Sequence, residues 1–180
     1  MIWNAPNIIT VVRLVVAFLF IPTYFYEEAN GIGHTISLSL YVFASVTDVI
    51  DGYIARKYSL ITEFGKIFDP VADKLLQFIV AACIAFFDPI FIYLAALIFV
   101  KEISMAIGAY KLYRDKVVVS ANIYGKMASV VYFLLFFIII GFRDNISDTI
   151  KYVMLTLITI ATITAFINYF IEYFKIKGKK

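Results

Sequence analysis

A chain of 180 residues that is 63% hydrophobic and only 16% charged carries too much apolar surface to hide inside one water-facing globule. Its apolar runs come in pieces of about 20 residues, enough to cross a hydrocarbon core of roughly 30 Å, so a polytopic membrane domain is expected, with mean hydropathy +0.91 in keeping. The formal net charge of +3 matters less than where the charges fall, and no nucleic-acid partner is expected.

In chain order, Asn4 to Asn7 around Pro6 read as a helix start, because proline fits a first turn and asparagine caps it. The opening "MIWNAPNIITVVRLVVAF" is polar, broken by Pro6 and carries Arg13, unlike a cleaved leader, so the first span is expected to be retained. Six helices are predicted at about 7–26, 33–57, 67–87, 89–113, 122–142 and 147–175. The breaks between them hold Gly, Pro, Asn, Asp or charge: "EEANGIG", "KYSLITEFG", "FDP", "RDKVVVSAN" and "FRDNIS". The only histidine, His34, falls in the first of these connections, without Cys or His neighbours, and reads as loop surface rather than a zinc ligand. The single cysteine, Cys83, has no partner for an internal disulfide and reads as a small core residue.

The expected fold is therefore all-α and integral to the membrane, one domain over residues 1–180 with six transmembrane helices. Placing both termini in the cytoplasm puts Arg13, Arg56, Lys57, Lys66, Lys74 and most of the remaining cations on the inner side. Only Arg143 and Lys151 fall outside, and Lys101 lies within the fourth helix.

That topology puts the stretch "TDVIDGYIARKYSLITEFGKIFDPVADK", residues 47–74, at the cytoplasmic boundary. Asp48 and Asp51 are three apart and share one helix face; Asp69 and Asp73 are four apart and share another. Two consecutive helices joined by a short loop are expected to be antiparallel neighbours, so four carboxylates would converge. Such a cluster repels itself unless cations intervene. Oxygen-only ligands suit Mg²⁺, Mn²⁺ or Ca²⁺, and a pair of ions shares four carboxylates naturally. Gly52 and Ala55 leave a groove beside the carboxylates, Gly65 lies near the start of the next helix, and Arg56 can reach a phosphate. Four membrane-embedded carboxylates also suit a divalent-cation transport site. That alternative needs polar residues continuing through the bilayer, whereas "LLQFIVAACIAFF" offers only Gln77.

The stretch resembles the signature of the CDP-alcohol phosphotransferases, D-x2-D-G-x2-A-R-x8-G-x3-D-x3-D. Asp48, Asp51, Gly52, Ala55, Arg56, Gly65, Asp69 and Asp73 meet every spacing. Eight fixed positions match by chance on the order of once in ten billion start sites. The resemblance implies a six-helix membrane enzyme, commonly a homodimer, that transfers a phosphatidyl or similar group from a CDP-linked donor to an alcohol and releases CMP. It implies two divalent ions, Mg²⁺ or Mn²⁺, held by Asp48, Asp51, Asp69 and Asp73. It further implies a CDP-donor site at Asp48, Gly52, Ala55, Arg56, Gly65 and Asp69, with Asp73 as the base for the acceptor hydroxyl.

Three more segments resemble the family's bacterial phosphatidylglycerophosphate synthase branch: "NAPNIITVVR", "VKEISM" and "SANIYGKMAS". They imply CDP-diacylglycerol as donor, glycerol 3-phosphate as acceptor, and acceptor binding by Asn7, Thr10, Arg13, Lys101 and Lys126. Lys101 stands where that branch commonly has arginine, losing a bidentate fork, and Ala128 where it often has a second lysine. Those departures keep open a cardiolipin synthase of the CDP-alcohol type, with phosphatidylglycerol as acceptor. A bacterial inner membrane, with the site facing the cytoplasm among membrane lipids, is the expected location.

Overall fold

A computed structural model describes the backbone of residues 5–57, 63–114 and 123–177. These residues form six α-helices and two 3-10 turns, and no strand. The helices are α1 (Ala5–Ala29), α2 (Thr35–Lys57), α3 (Glu63–Phe87), α4 (Ile92–Arg114), α5 (Ile123–Gly141) and α6 (Asp148–Lys177). The order and number agree with the periodicity of the sequence. β-Branched and aromatic residues crowd these segments, yet all are helical, because a backbone in hydrocarbon must satisfy its own polar groups.

The first helix runs three residues beyond its predicted end, through Ala29. Gly31 explains the extension: it takes φ +60°, and the N–H groups of Gly31 and Ile32 return to the carbonyls of Glu28 and Glu27. This is the Schellman closure, which satisfies the last carbonyls of a helix and needs a left-handed residue at the bend. Glu27 and Glu28 thus belong to the last turn of α1, where the helix dipole disfavours anions. Glu27 is compensated by the next helix. It is fully buried, and its carboxylate accepts from the N–H of Ile36 at 2.7 Å, the N–H of Ser37 at 3.1 Å and the Ser37 hydroxyl. A side chain of α1 therefore caps the N-terminus of α2.

His34 is not loop surface, as the sequence suggested, but buried. Its ring stacks on Tyr24 at 4.6 Å between centroids, and Nε2 lies 2.9 Å from Glu28 Oε2. Arg143 closes the cluster, donating to the Tyr24 hydroxyl and, at 2.8 Å, to Glu28. Burying an imidazole in a membrane protein requires such partners, and they come from α1 and from the turn after α5, out of reach of sequence spacing. Lys151 of α6 bonds Asp88, between α3 and α4, at 2.7 Å at the same end of the bundle.

Between the two ends the core is apolar, built on Ala17 and Phe20 of α1, Tyr41 and Ala44 of α2, Val80 and Ile84 of α3, Ile98 of α4, Phe136 of α5 and Ile158 of α6. Cys83 lies in it, free and buried, as expected. Helix α1 packs along both α2 and α3, which share few contacts with each other among the described residues. Both helices lean on α1. Gly108 of α4 admits α6, since a Cβ there would lie 2.7 Å from the Tyr169 hydroxyl, which instead donates to the Met105 carbonyl at 3.0 Å.

The outer surface is apolar as well, with Phe18, Val49, Phe86, Tyr93 and Phe174 largely exposed. Such a surface is stable only against lipid, so the protein is membrane-embedded. Among the described residues three stretches are long and apolar enough by themselves to span a bilayer: Ile8–Ala29, Pro89–Gly108 and Asp148–Lys175. A fourth, Met127–Gly141, is shorter. Helices α2 and α3, of 23 and 25 residues, have the length but carry the charges of residues 47–74.

Removing the Glu27 carboxylate leaves two backbone donors and a hydroxyl of α2 without their acceptor. Glu27→Ala is expected to cost about 1–3 kcal/mol and to lower the thermal midpoint in detergent. An unchanged midpoint would show that the cap contributes nothing.

Candidate active site

The other end of α1 carries its charge differently. Arg13 stands on a helix otherwise apolar from Val11 to Phe20, and only 1% of it is exposed. A buried guanidinium stays charged and needs anionic partners. It finds two on α2: Nη1 donates to Asp48 Oδ1 at 2.6 Å, and Nη2 donates to Asp51 Oδ2. The i, i+3 spacing of Asp48 and Asp51 therefore does what the sequence implied, presenting both carboxylates on one helix face. They differ in setting, since the Asp51 side chain is 3% exposed and that of Asp48 41%. Thr10, one turn before Arg13 on the same face, is fully buried.

Beside this ion-pair group lies a cavity of about 360 Å³. Arg13 of α1, Ser45 and Asp48 of α2, Asp73 and Gln77 of α3 and Ser129 of α5 are on its wall. Asp73 and Asp48, 25 positions apart in sequence, thus border one space, two of the four carboxylates expected to converge. Gln77, one turn along α3, directs its amide nitrogen at the Asp73 carboxylate, 3.3 Å from Oδ1.

A second set of charges runs from Asp73 into α4. Lys74 Nζ lies 3.4 Å from Asp73 and 3.9 Å from Glu102, and Lys101 pairs with Glu102 at 2.6 Å. Lys101 is buried, and its ammonium sits 5.3 Å from the centre of the Tyr132 ring, a cation–π contact. The Tyr132 hydroxyl bonds Thr162 of α6. Lys101 is engaged by Glu102 and Tyr132 and is not among the residues on the cavity wall.

Gly52 follows Asp51 in α2, half-buried. The side-chain settings of Asn7, Ala55, Arg56, Gly65, Asp69 and Lys126, all singled out from the sequence, lie outside the described residues. Among the described residues no group of three or more His, Cys, Asp or Glu side chains is close enough to hold a metal ion, a set that leaves out Asp69. The donors that are described nonetheless fit a hard divalent cation: Asp48 and Asp73 are carboxylates on one cavity wall, with Asp51 beside Asp48.

Sequence reasoning did not find Ser45 or Ser129 as part of this region. Ser45 and Ser129 carry no signal, since serine is common in membrane helices and each bonds a carbonyl of its own helix, Tyr41 and Gly125. Gln77 did carry one: a lone amide in an apolar run, four residues after Asp73.

The family model for CDP-alcohol phosphatidyltransferases matches residues 3–167. A CDP-diacylglycerol–glycerol-3-phosphate 3-phosphatidyltransferase of Rickettsia felis is 48% identical over 73 residues, 41% of this chain and 39% of that relative. Proteins of the same name from Aquifex aeolicus and Bacillus subtilis are 33% and 32% identical over 131 and 135 residues. Those matches cover 70% and 69% of this chain, and 69% and 70% of the relatives. The matched stretch thus spans about two-fifths of the Rickettsia protein's length and somewhat over two-thirds of the other two. A family match over residues 3–167, with Asp48 and Asp73 of the motif on the wall of one cavity, places this chain in the CDP-alcohol phosphatidyltransferase family.

Proposed function

We propose that this chain transfers the phosphatidyl group of CDP-diacylglycerol to glycerol 3-phosphate, giving phosphatidylglycerophosphate and CMP. The observation that carries the reading is the shared cavity, on whose wall Asp48 and Asp73 of the motif meet the buried cation Arg13. The names of the Rickettsia, Aquifex and Bacillus relatives support the same donor and acceptor.

Asp48, Asp51, Asp69 and Asp73 would hold two Mg²⁺ or Mn²⁺ ions, in keeping with a family that is generally dependent on divalent metals, and the ions would supply positive charge against the diphosphate and the departing CMP. Gly52, Ala55, Arg56 and Gly65, with Asp48 and Asp69, receive the cytidine diphosphate. Small residues let its phosphates approach the helix, and Arg56 supplies a charged fork. Asn7, Thr10, Arg13, Lys101 and Lys126 bind the acceptor, whose phosphate needs cations. In the transfer the acceptor oxygen forms a bond to the phosphatidyl phosphorus, the bond from that phosphorus to CMP breaks, and the hydroxyl proton passes to Asp73.

All six helices cross the membrane in this reading, with both termini cytoplasmic and the cavity facing the cytoplasm of a bacterial inner membrane. The cation distribution along the sequence supports that orientation. The protein acts as a homodimer, as members of its family commonly do. A site at the interface serves both substrates, because the acyl chains need lipid and CMP needs water.

Divalent-cation transport is the less favoured reading. Beyond Gln77 the buried face of α3 is Ile79, Val80, Cys83 and Ile84, packed with Phe20 and Tyr41. Polar groups gather at the two ends of the bundle and an apolar core separates them.

Purified protein supplied with CDP-diacylglycerol is expected to release CMP with glycerol 3-phosphate, and chelation by EDTA is expected to stop the reaction. Release with phosphatidylglycerol alone would replace the acceptor by that of a cardiolipin synthase, and no release with any alcohol would sink the enzyme reading. Asp69→Asn should abolish turnover while the helical circular dichroism persists; an active variant would remove Asp69 from the metal set. Lys126→Ala should raise the acceptor's KM by about tenfold or more, the equivalent of one lost charge-assisted hydrogen bond, with the donor's KM little changed. Equal rises for both substrates would count against its assignment to the acceptor.

A further inference from the structure

Asp48 and Asp51 offer their oxygens to one guanidinium. Arg13 Nη1 stands 2.6 Å from Asp48 Oδ1, and Nη2 bonds Asp51 Oδ2. A divalent ion seated on Asp48 and Asp51 draws on these same carboxylates. Arginine cannot escape the conflict by losing its proton, because guanidinium remains charged in proteins. It can escape only by moving or by tolerating a like charge a few ångströms away.

The surroundings favour movement. Arg13 Nε is buried and has no hydrogen-bond partner among the described residues, where the two aspartates are its anchors. The side chain already stands on the wall of the cavity, with Ser45 and Ser129 on the same wall. A short swing places the guanidinium over open cavity rather than against hydrocarbon, and there it meets whatever anion the cavity admits. A planar fork suits two oxygens of one phosphate.

We propose that Arg13 is a displaceable countercharge: a divalent cation and the Arg13 guanidinium compete for Asp48 and Asp51, and cation binding releases the guanidinium to take a phosphate group in the adjoining cavity. The inference rests on the metal assignment made above and extends it to an order of binding, cation before anionic acceptor. Because the coupling is thermodynamic, it is reciprocal: an anion that draws Arg13 away also tightens cation binding.

The test measures binding rather than turnover. Mn²⁺ is titrated into the purified full-length protein in detergent without substrates, and free Mn²⁺ is followed by electron paramagnetic resonance. Arg13→Gln is expected to bind Mn²⁺ about tenfold more tightly than the wild type, since a positive charge has left the ion's surroundings. Arg13→Lys, which keeps the charge, should stay within about threefold of the wild type. Binding by Arg13→Gln that is equal to the wild type or weaker would overturn the inference and make Arg13 a support for the site. Should Arg13→Gln not fold, the wild type serves alone. Proton exchange at the Arg13 guanidinium, read by nitrogen-15 NMR, should quicken when Mg²⁺ is added, and exchange unchanged by saturating Mg²⁺ would overturn it equally. Failure of the metal reading looks different: the wild type would bind no Mn²⁺, or Asp51→Asn would bind it as well as the wild type.

Discussion

Carboxylates at the border of a hydrocarbon core cannot stand together without a countercharge, and this constraint organises the bundle. Asp51 is buried and Asp48 lies one turn away; alone they would repel each other and resist desolvation. Arg13 answers both from α1. The ion pairs satisfy the motif's first two aspartates, hold α1 against the C-terminal half of α2, and line the cavity that Asp73 shares. Electrostatics, packing and site formation are thus one interaction at this end of the molecule.

The opposite end of the same helix pair obeys the same rule with reversed signs. Glu27 at the end of α1 is an anion, and its partners are the free N–H groups that begin α2. Fourteen positions separate Arg13 from Glu27 in the sequence, about 21 Å along a helix. Two polar clasps at that separation pin the register of α1 against α2 more sharply than apolar packing does, because hydrocarbon side chains slide at little cost and unpaired charges do not. His34, Tyr24, Glu28 and Arg143 extend the second clasp towards the end of α5.

The chain of charges from Asp73 through Lys74 and Glu102 to Lys101 carries the same logic into α4. The proposed transfer would gather a diphosphate, metal ions and an anionic acceptor in one place. The protein's own charges must then be balanced whether or not those partners are present. Alternating signs do that, each charge in this series having a neighbour of opposite sign. Lys101 illustrates the compromise: it is the intramembrane cation that the sequence marked for the acceptor, and at rest it is held by Glu102 and the face of Tyr132.

Much of this was written in the chain itself. Helical periodicity and the punctuation by Gly, Pro and charge determine the six helices, because both depend on local backbone chemistry alone. The spacing of Asp48 and Asp51 determines that these two carboxylates share a face, and the motif they belong to identifies the family. Other features needed partners distant in sequence. The burial of His34 depends on Tyr24 and Glu28 and on Arg143, more than a hundred positions away, and the cap supplied by Glu27 depends on a glycine turn that folds α2 back onto α1. The pairing of Arg13 with two aspartates of α2 is likewise a choice made by packing. A lone buried arginine requires anions, but only the tertiary structure decides which ones, since charge is satisfied by proximity in space and not by order along the chain.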